Sequence, residues 1–114
     1  MTAPTELPDE DQKLVVLARG ALARAEASSA AAVRDGDGRT YAGAPVHTAT
    51  LTLTGLQVAV AGALSSGARA FEAAVLVNGN SDDPGIATLH EITPAAYALF
   101  TDLRGTPVGR QDAP

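Results

Sequence analysis

Few side chains in this sequence could carry out catalysis or hold a metal ion. Cysteine is absent, and the histidines are His47 and His90. Disulfides, thiol nucleophiles, iron–sulfur clusters and thiolate zinc sites are therefore excluded. A conventional zinc site would need carboxylates to complete a set of ligands that begins with these two imidazoles.

The remaining polar groups do not form known catalytic spacings. His90 and Glu91 are adjacent, but a metalloprotease helix needs a second histidine four residues on, so we interpret them as a loop or strand-edge pair. No serine lies in a nucleophile elbow. Asp82 and Asp83, in the segment NGNSDDP, could bind a hard cation, although such acidic pairs are more often solvated loop residues.

Composition excludes several classes of function. The 114 residues carry a formal net charge of -5 and a hydrophobic fraction of 46%, which suits one globular domain. Lysines and arginines form no basic cluster, so we predict no nucleic-acid binding. No apolar run approaches the roughly 18 residues of a membrane span, and the acidic start is unlike a targeting peptide. We therefore expect no membrane contact and a cytoplasmic location.

Several secondary-structure elements follow from local patterns. Apolar residues at helical spacing, preceded by acids in the first turn, predict a helix over residues 9–26. Two extended runs on either side of residues 35–38, DGDG, predict an antiparallel hairpin. These glycines lack the spacing of a phosphate-binding loop, which also needs a helix to follow. The apolar run over residues 71–77 predicts a strand that is covered on both faces.

The apolar stretch over residues 51–67 predicts a buried central helix that ends at Gly67. Thr54 and Gln57 fit a capping box near its start, with Thr50 and Thr52 as alternative caps. Small residues also recur along it at helical spacing: Gly55, Ala59, Gly62, Ala63 and Ser66. Such a stripe permits close packing within one subunit or between subunits. The second possibility predicts a homo-oligomer, a dimer or a tetramer.

The end of the chain predicts a third helix and a short strand. Thr93 and Pro94 are typical of a helix start, and the helix would continue to about residue 104 before a strand at 106–108. The full order predicts an α/β domain in which a mixed sheet of about four strands, beginning with the hairpin, lies between layers formed by about three helices. We place this single domain at residues 9–108, between flexible tails at 1–8 and 109–114.

This order of elements resembles the cytidine deaminase family over roughly residues 12–108. In that family the hairpin leads to Gly-x-Asn-x-Glu-Asn, then to a helix with Cys-Ala-Glu, a strand, and a helix that opens with Pro-Cys-x-x-Cys. The corresponding stretches here are GAPVHT (43–48), LTLTGLQ (51–57) and PAAYA (94–98). The matching framework residues are Gly43, Leu51 and Pro94. The resemblance implies a three-layer cytidine deaminase-like fold.

The resemblance also implies that the family's chemistry is missing. Thr54 stands for the first thiolate ligand, Ala95 and Ala98 for the other two, and Leu56 for the glutamate that moves protons. Zinc must activate a water molecule and the glutamate must carry its proton to the base, so these replacements remove both steps. The implied protein is a non-catalytic relative, a pseudoenzyme with no catalytic residue, no metal and no cofactor.

Two functions without catalysis remain open for such a protein. One is a vestigial pocket that binds a nucleoside or nucleotide and is lined by Tyr41, Pro45, His47, Thr54 and Gln57. In the resemblance, Pro45 and His47 replace the residues that hold the ribose. The other function is an oligomeric interaction module. The enzymatic alternative is an active cytidine or nucleoside deaminase-type hydrolase that uses an unrecognised site.

Overall fold

The computed structural model describes residues 6–112 of the chain. Its elements are α1 (Asp9–Arg24), β1 (Ala30–Asp35), β2 (Thr40–Gly43), β3 (Val46–His47), β4 (Thr52–Leu53), α2 (Gly55–Ser65), β5 (Phe71–Val77), α3 (Pro84–Ile92), β6 (Tyr97–Thr101) and β7 (Pro107–Gln111). The predicted first helix, hairpin and central strand are therefore present. The central helix begins later than predicted, because residues 46–53 form the small β3–β4 ladder.

Within residues 6–112, the main sheet has five strands in the order β2-β1-β5-β6-β7. The β5–β6 pair is parallel and the other neighbours are antiparallel, so the sheet is mixed. Helix α1 packs on one face, while α2 and α3 contribute to the core on the other. This arrangement confirms the predicted α/β class with three helices, and the sheet has one strand more than the predicted four.

Strand β5 separates two apolar cores. Its alternate residues point to opposite faces, as the period of two in an extended chain requires. Leu76 belongs to the cluster beneath α2 and α3 with Leu56 and Phe100, whereas Val75 belongs to the cluster beneath α1 with Leu14. Both faces of β5 are covered, which explains its almost continuous apolar sequence.

An ionic cluster, buried at Arg34 and Asp11 and exposed at Glu72, attaches α1 to the sheet. Arg34 Nη1 donates to Asp11 Oδ1 at 3.1 Å and Arg34 Nε donates to Glu72 Oε1 at 2.7 Å. Tyr97 lies between the charges: its hydroxyl accepts from Arg34 Nη2 at 3.0 Å and donates to Asp11 Oδ1 at 2.9 Å. Burial opposes the charge on the guanidinium, but these partners outweigh it and raise the pKa of Arg34 above its ordinary value.

Helix α2 lies close to the hairpin because two glycines meet there. A Cβ atom on Gly43 would lie 2.7 Å from the carbonyl oxygen of Gly55, and one on Gly55 would lie 2.7 Å from that of Gly43. The predicted small-residue stripe is divided: Gly55, Ala59 and Ala63 are buried, whereas Gly62 and Ser66 are exposed. Three of its five members therefore serve packing within the subunit.

The predicted third helix over residues 94–104 is wrong. Tyr97–Thr101 is strand β6, and the helix lies earlier, at Pro84–Ile92. Thr93 ends α3 instead of starting a helix, and its hydroxyl accepts a hydrogen bond from Phe71 N at 2.9 Å. Four of the five residues of β6 are buried, as expected for a strand whose two faces are both covered.

The predicted tails need a smaller correction. Strand β7 continues to Gln111, so residues 109–111 belong to the sheet, and Leu7 packs against the core beneath α1. The rest of the predicted tails, residues 1–5 and 113–114, lies outside the described residues. Between residues 6 and 112, no helix combines the length and apolar character needed to cross a membrane.

Candidate functional site

A cleft of about 660 Å³ opens where the N-terminal ends of α2 and α3 meet. Its walls also include the β3–β4 ladder, the start of β1 and the loop after β5. Cavities in the range of about 300–1,000 Å³ are typical of small-molecule sites. The cleft is thus large enough for a small molecule, and its position at two converging helix starts makes it the candidate functional site.

Thr54 forms the capping box that the sequence predicts. Its hydroxyl accepts from Gln57 N at 3.1 Å, and Thr54 N donates to Gln57 Oε1 at 2.9 Å. The alternative caps are wrong: Thr50 precedes β4, and Thr52 lies within it and shares a hydrogen bond with His47 Nδ1 at 3.2 Å. At the start of α2, the side chains of Thr54 and Gln57 thus accept hydrogen bonds from each other's backbone N–H groups.

Asp83 connects the starts of the two helices. The Thr54 hydroxyl donates to Asp83 Oδ1 at 2.8 Å, and the same oxygen accepts from Gly85 N at 2.8 Å as the cap of α3. An aspartate at this position also suits the positive ends of both helix dipoles. One carboxylate oxygen therefore holds together elements that are 29 residues apart in sequence.

Leu56 fills the space between the two helix starts. Its side chain is 1% exposed and belongs to the core beneath α2 and α3. A Cβ atom on Gly85 would lie 2.7 Å from Leu56 Cγ, so α3 can approach only because Gly85 has no side chain. An aliphatic group thus lies on the floor of the cleft.

Four of the five predicted pocket residues line the cleft: Pro45, His47, Thr54 and Gln57. Tyr41 does not, because its hydroxyl donates to Asp35 Oδ2 at 3.2 Å beside the hairpin turn. Burial opposes ionisation of Asp35, but hydrogen bonds from the backbone of Arg39 and Asp37, together with the Tyr41 hydroxyl, outweigh it and lower the pKa of Asp35. Tyr41 therefore stabilises the hairpin.

Ala95 and Ala98 do not lie at a helix start, so their predicted place beside Thr54 is wrong. Ala98 is a fully buried residue of β6 that pairs with Ala74, and Ala95 is exposed in the turn before that strand. The error follows from the wrong position of the third helix. The residue that begins a helix beside Thr54 is Pro84.

The side chains at the two helix starts do not fit a zinc ion. The Thr54 hydroxyl is engaged by Gln57 and Asp83, and Leu56 carries no donor atom. Within residues 6–112, no three side chains from His, Cys, Asp and Glu are grouped to hold a metal. His47 lies apart on β3, exposed and bonded to Thr52.

Asp83 is the site residue that the sequence analysis missed. Its place beside Asp82 in a polar loop is typical of a solvated acidic pair. Yet Asp83-Pro84 has the same cap-and-proline signature as Thr93-Pro94, so the sequence did contain a signal for α3. Only its contact with Thr54 distinguishes the true helix start from the apparent one.

Comparison with known proteins gives one family and several similar structures. The matching family model is described as Cytidine deaminase-like and covers residues 7–105. Cytidine deaminase from Burkholderia pseudomallei is similar with a TM-score of 0.75 and 19% identity over 93% of each chain. Cytidine deaminase from Mycobacterium leprae has a TM-score of 0.67 and 24% identity over 89% of this chain and 91% of that one. A substituted form of the Mycobacterium tuberculosis cytidine deaminase has a TM-score of 0.68 and 21% identity over 94% of this chain and 92% of that one. No curated protein sequence matches.

Proposed function

Because the chain belongs to the cytidine deaminase-like family, we propose that it is a member without deaminase chemistry whose cleft binds a nucleoside-sized polar ligand. The observation that carries this proposal is the hydrogen bond of 2.8 Å between Thr54 Oγ1 and Asp83 Oδ1. It joins the starts of α2 and α3, where the family resemblance places the zinc ligands. A threonine–carboxylate contact takes the place of a metal centre there.

The corrected position of α3 extends the same argument to the other ligand positions. The helix opens with Pro84, so the two thiolates of Pro-Cys-x-x-Cys correspond to Gly85 and Thr88. Gly85 offers no side chain, and Leu56 stands for the proton-carrying glutamate. Metal-assisted attack by water requires both the ion and a proton carrier, so these residues support a non-catalytic role.

The composition of the cleft supports a neutral ligand over a phosphorylated one. Amide and imidazole groups line it, together with the carboxylates Asp82 and Asp83, and no lysine or arginine is among its lining residues in the described chain. Phosphate groups are normally bound by cationic side chains or free helix N-termini, and both helix starts are capped here. A nucleoside therefore fits better than a nucleotide.

Isothermal calorimetry with the common ribonucleosides, deoxyribonucleosides and their 5′-monophosphates tests this proposal. We expect saturable binding of at least one nucleoside, with its monophosphate binding more weakly. If no compound in the panel binds, the proposal is refuted.

The enzymatic alternative needs its own measurements. Elemental analysis for zinc and an ultraviolet assay with cytidine and deoxycytidine should give no stoichiometric metal and no turnover. Turnover that survives purification and chelation would favour the alternative, an active deaminase-type hydrolase with an unrecognised site.

We propose self-association as a second function, because one face of α2 is exposed and formed by small residues. Ala61, Gly62, Ser65 and Ser66 are all exposed and small. A Cβ atom added to Gly62 meets nothing within 4 Å, so substitution there should leave the subunit intact. Light scattering should find a dimer or tetramer that Gly62→Glu dissociates and Gly62→Ala does not. A protein that stays monomeric at high concentration would contradict this proposal.

A further inference from the structure

We infer that Asp83 and Gln57 form a recognition pair for a planar amide or amidine edge, in which an N–H group lies next to a hydrogen-bond acceptor. The inference rests on the proposed function, because it concerns how the same cleft recognises its ligand. Both residues line the cleft, and both are bonded to Thr54. Each uses one polar atom for the structure and leaves the other for a ligand.

Gln57 supplies the donor of the pair. Its Oε1 atom accepts from Thr54 N at 2.9 Å. Because a backbone N–H can only donate, this contact determines which end of the amide is oxygen. The Nε2 group is therefore turned away from Thr54, and no hydrogen-bond partner for it occurs among residues 6–112. An amide with one end bonded presents its N–H groups in a restricted direction.

Asp83 supplies the acceptor. Its Oδ1 atom accepts from both Thr54 Oγ1 and Gly85 N, each at 2.8 Å. These contacts fix the carboxylate plane, and the Oδ2 atom makes no hydrogen bond within the described part of the chain. A carboxylate that is anchored through one oxygen offers the other as a strong, charged acceptor.

The two free atoms together define the ligand edge. An acceptor on Asp83 and a donor on Gln57, both anchored to one threonine, complement a ligand with a donor beside an acceptor. Since the capping contacts already restrict both side chains, binding would lose little further rotamer entropy. A ligand without the N–H would leave a desolvated carboxylate oxygen unpaired, which strongly reduces affinity.

Two near-isosteric substitutions reverse the hydrogen-bonding pattern while keeping the caps. Asp83→Asn retains an oxygen for Gly85 N and Thr54, because Asn caps helices as well as Asp, but its outer atom becomes a donor. Gln57→Glu retains an oxygen for Thr54 N, as in the usual capping box, but its outer atom becomes an acceptor. Glu91→Gln removes an exposed charge outside the cleft and is the matched control.

Nitrogen–proton NMR titrations of the whole chain provide the readout. The probes are 2-pyridone, which carries adjacent N–H and C=O groups, and N-methyl-2-pyridone, which lacks the N–H. We expect 2-pyridone to shift the Gln57 side-chain amide signal saturably and the methylated probe to bind at least about tenfold more weakly. Asp83→Asn and Gln57→Glu should each weaken the binding of 2-pyridone by a similar factor, and Glu91→Gln should change its affinity by less than about twofold.

Three results would overturn the inference: no saturable shift with 2-pyridone, equal binding of both probes, or wild-type affinity in Asp83→Asn and Gln57→Glu. Its failure can be told apart from failure of the proposed function. If nucleosides bind in calorimetry with unchanged affinity in both variants, the pair is wrong and the proposed function stands. If 2-pyridone binds as expected and no nucleoside does, the pair stands and the proposed function fails.

Discussion

Replacing Thr54 by alanine should be among the most informative perturbations of the cleft. The hydroxyl accepts from Gln57 N and donates to Asp83, so Thr54→Ala removes a helix cap and a bond between two helices together. Loss of an N-cap costs about 1 kcal/mol. A hydrogen bond to a charged group contributes about 1.5–3 kcal/mol, and we take the low end because Thr54 and Asp83 are only half-buried. The free energy of unfolding should therefore fall by about 2 kcal/mol, allowing for overlap between the two terms.

Urea unfolding followed by circular dichroism measures this change. For a domain of this size, a loss of about 2 kcal/mol corresponds to a fall in melting temperature of about 8 °C. Thr54→Ser retains both hydrogen bonds and should stay within about 0.5 kcal/mol of the wild type. Thr52→Ala is the matched control, because this exposed threonine bonds only to His47 through its side chain.

A double-mutant cycle separates the two contributions. Thr54→Ala and Asp83→Ala, measured singly and together, should show a coupling energy of about 1 kcal/mol if the hydroxyl–carboxylate bond stabilises the protein. The reasoning is refuted if Thr54→Ala is no more destabilising than Thr52→Ala, or if the cycle shows no coupling. Either result would mean that the two helix starts are held together by packing alone.

Three further predictions concern the packing and charges around the cleft and beneath α1. Gly85→Ala should lower the free energy of unfolding by about 1–3 kcal/mol, because its Cβ would lie 2.7 Å from Leu56 Cγ. Leu56→Ala alone should lower the free energy of unfolding by about 2–5 kcal/mol, as measured by urea unfolding. The Gly85→Ala/Leu56→Ala double variant should lose less than the sum of the two single losses, and additive losses would contradict the contact. Arg34→Met leaves the buried Asp11 carboxylate without its cation and should cost about 3–5 kcal/mol, part of which Asp11→Asn should restore in the same assay. Asp35 has a pKa below its ordinary value of 3.8, so its ionised form stabilises the fold above that value, and this contribution is lost as the pH falls through the lower folded pKa. Asp35→Asn should therefore make the free energy of unfolding fall less steeply with decreasing pH in this acid range. An unchanged slope between pH 6 and about pH 2 would show that ionised Asp35 does not stabilise the fold.

Local patterns in the sequence predicted the elements that depend on near neighbours. The α1 helix, the β1–β2 hairpin and β5 follow from the spacing of apolar residues and from glycines at the turns. The capping box of Thr54 and Gln57 was also predictable, because both of its hydrogen bonds join residues three positions apart. The absence of cysteine by itself excluded thiolate chemistry.

The third helix shows where local patterns were insufficient. Asp83-Pro84 and Thr93-Pro94 carry equivalent start signals, and the segment after each contains apolar residues. Residues 97–101 form a strand because they pair in parallel with β5 and contribute side chains to the apolar cores on both faces of the sheet. A short apolar run can satisfy either structure, so neighbours distant in sequence decide between them.

The sequence by itself thus determined the class of fold, the cap of α2 and the absence of thiolate ligands, since each depends on residue type or on spacings of a few residues. Only the tertiary structure decided that Asp83 bonds to Thr54, that Gly85 lies against Leu56, and that Tyr41 lies outside the cleft. The physical reason is that these contacts join residues far apart in sequence. They form only where the packing of helices on the sheet brings their elements together.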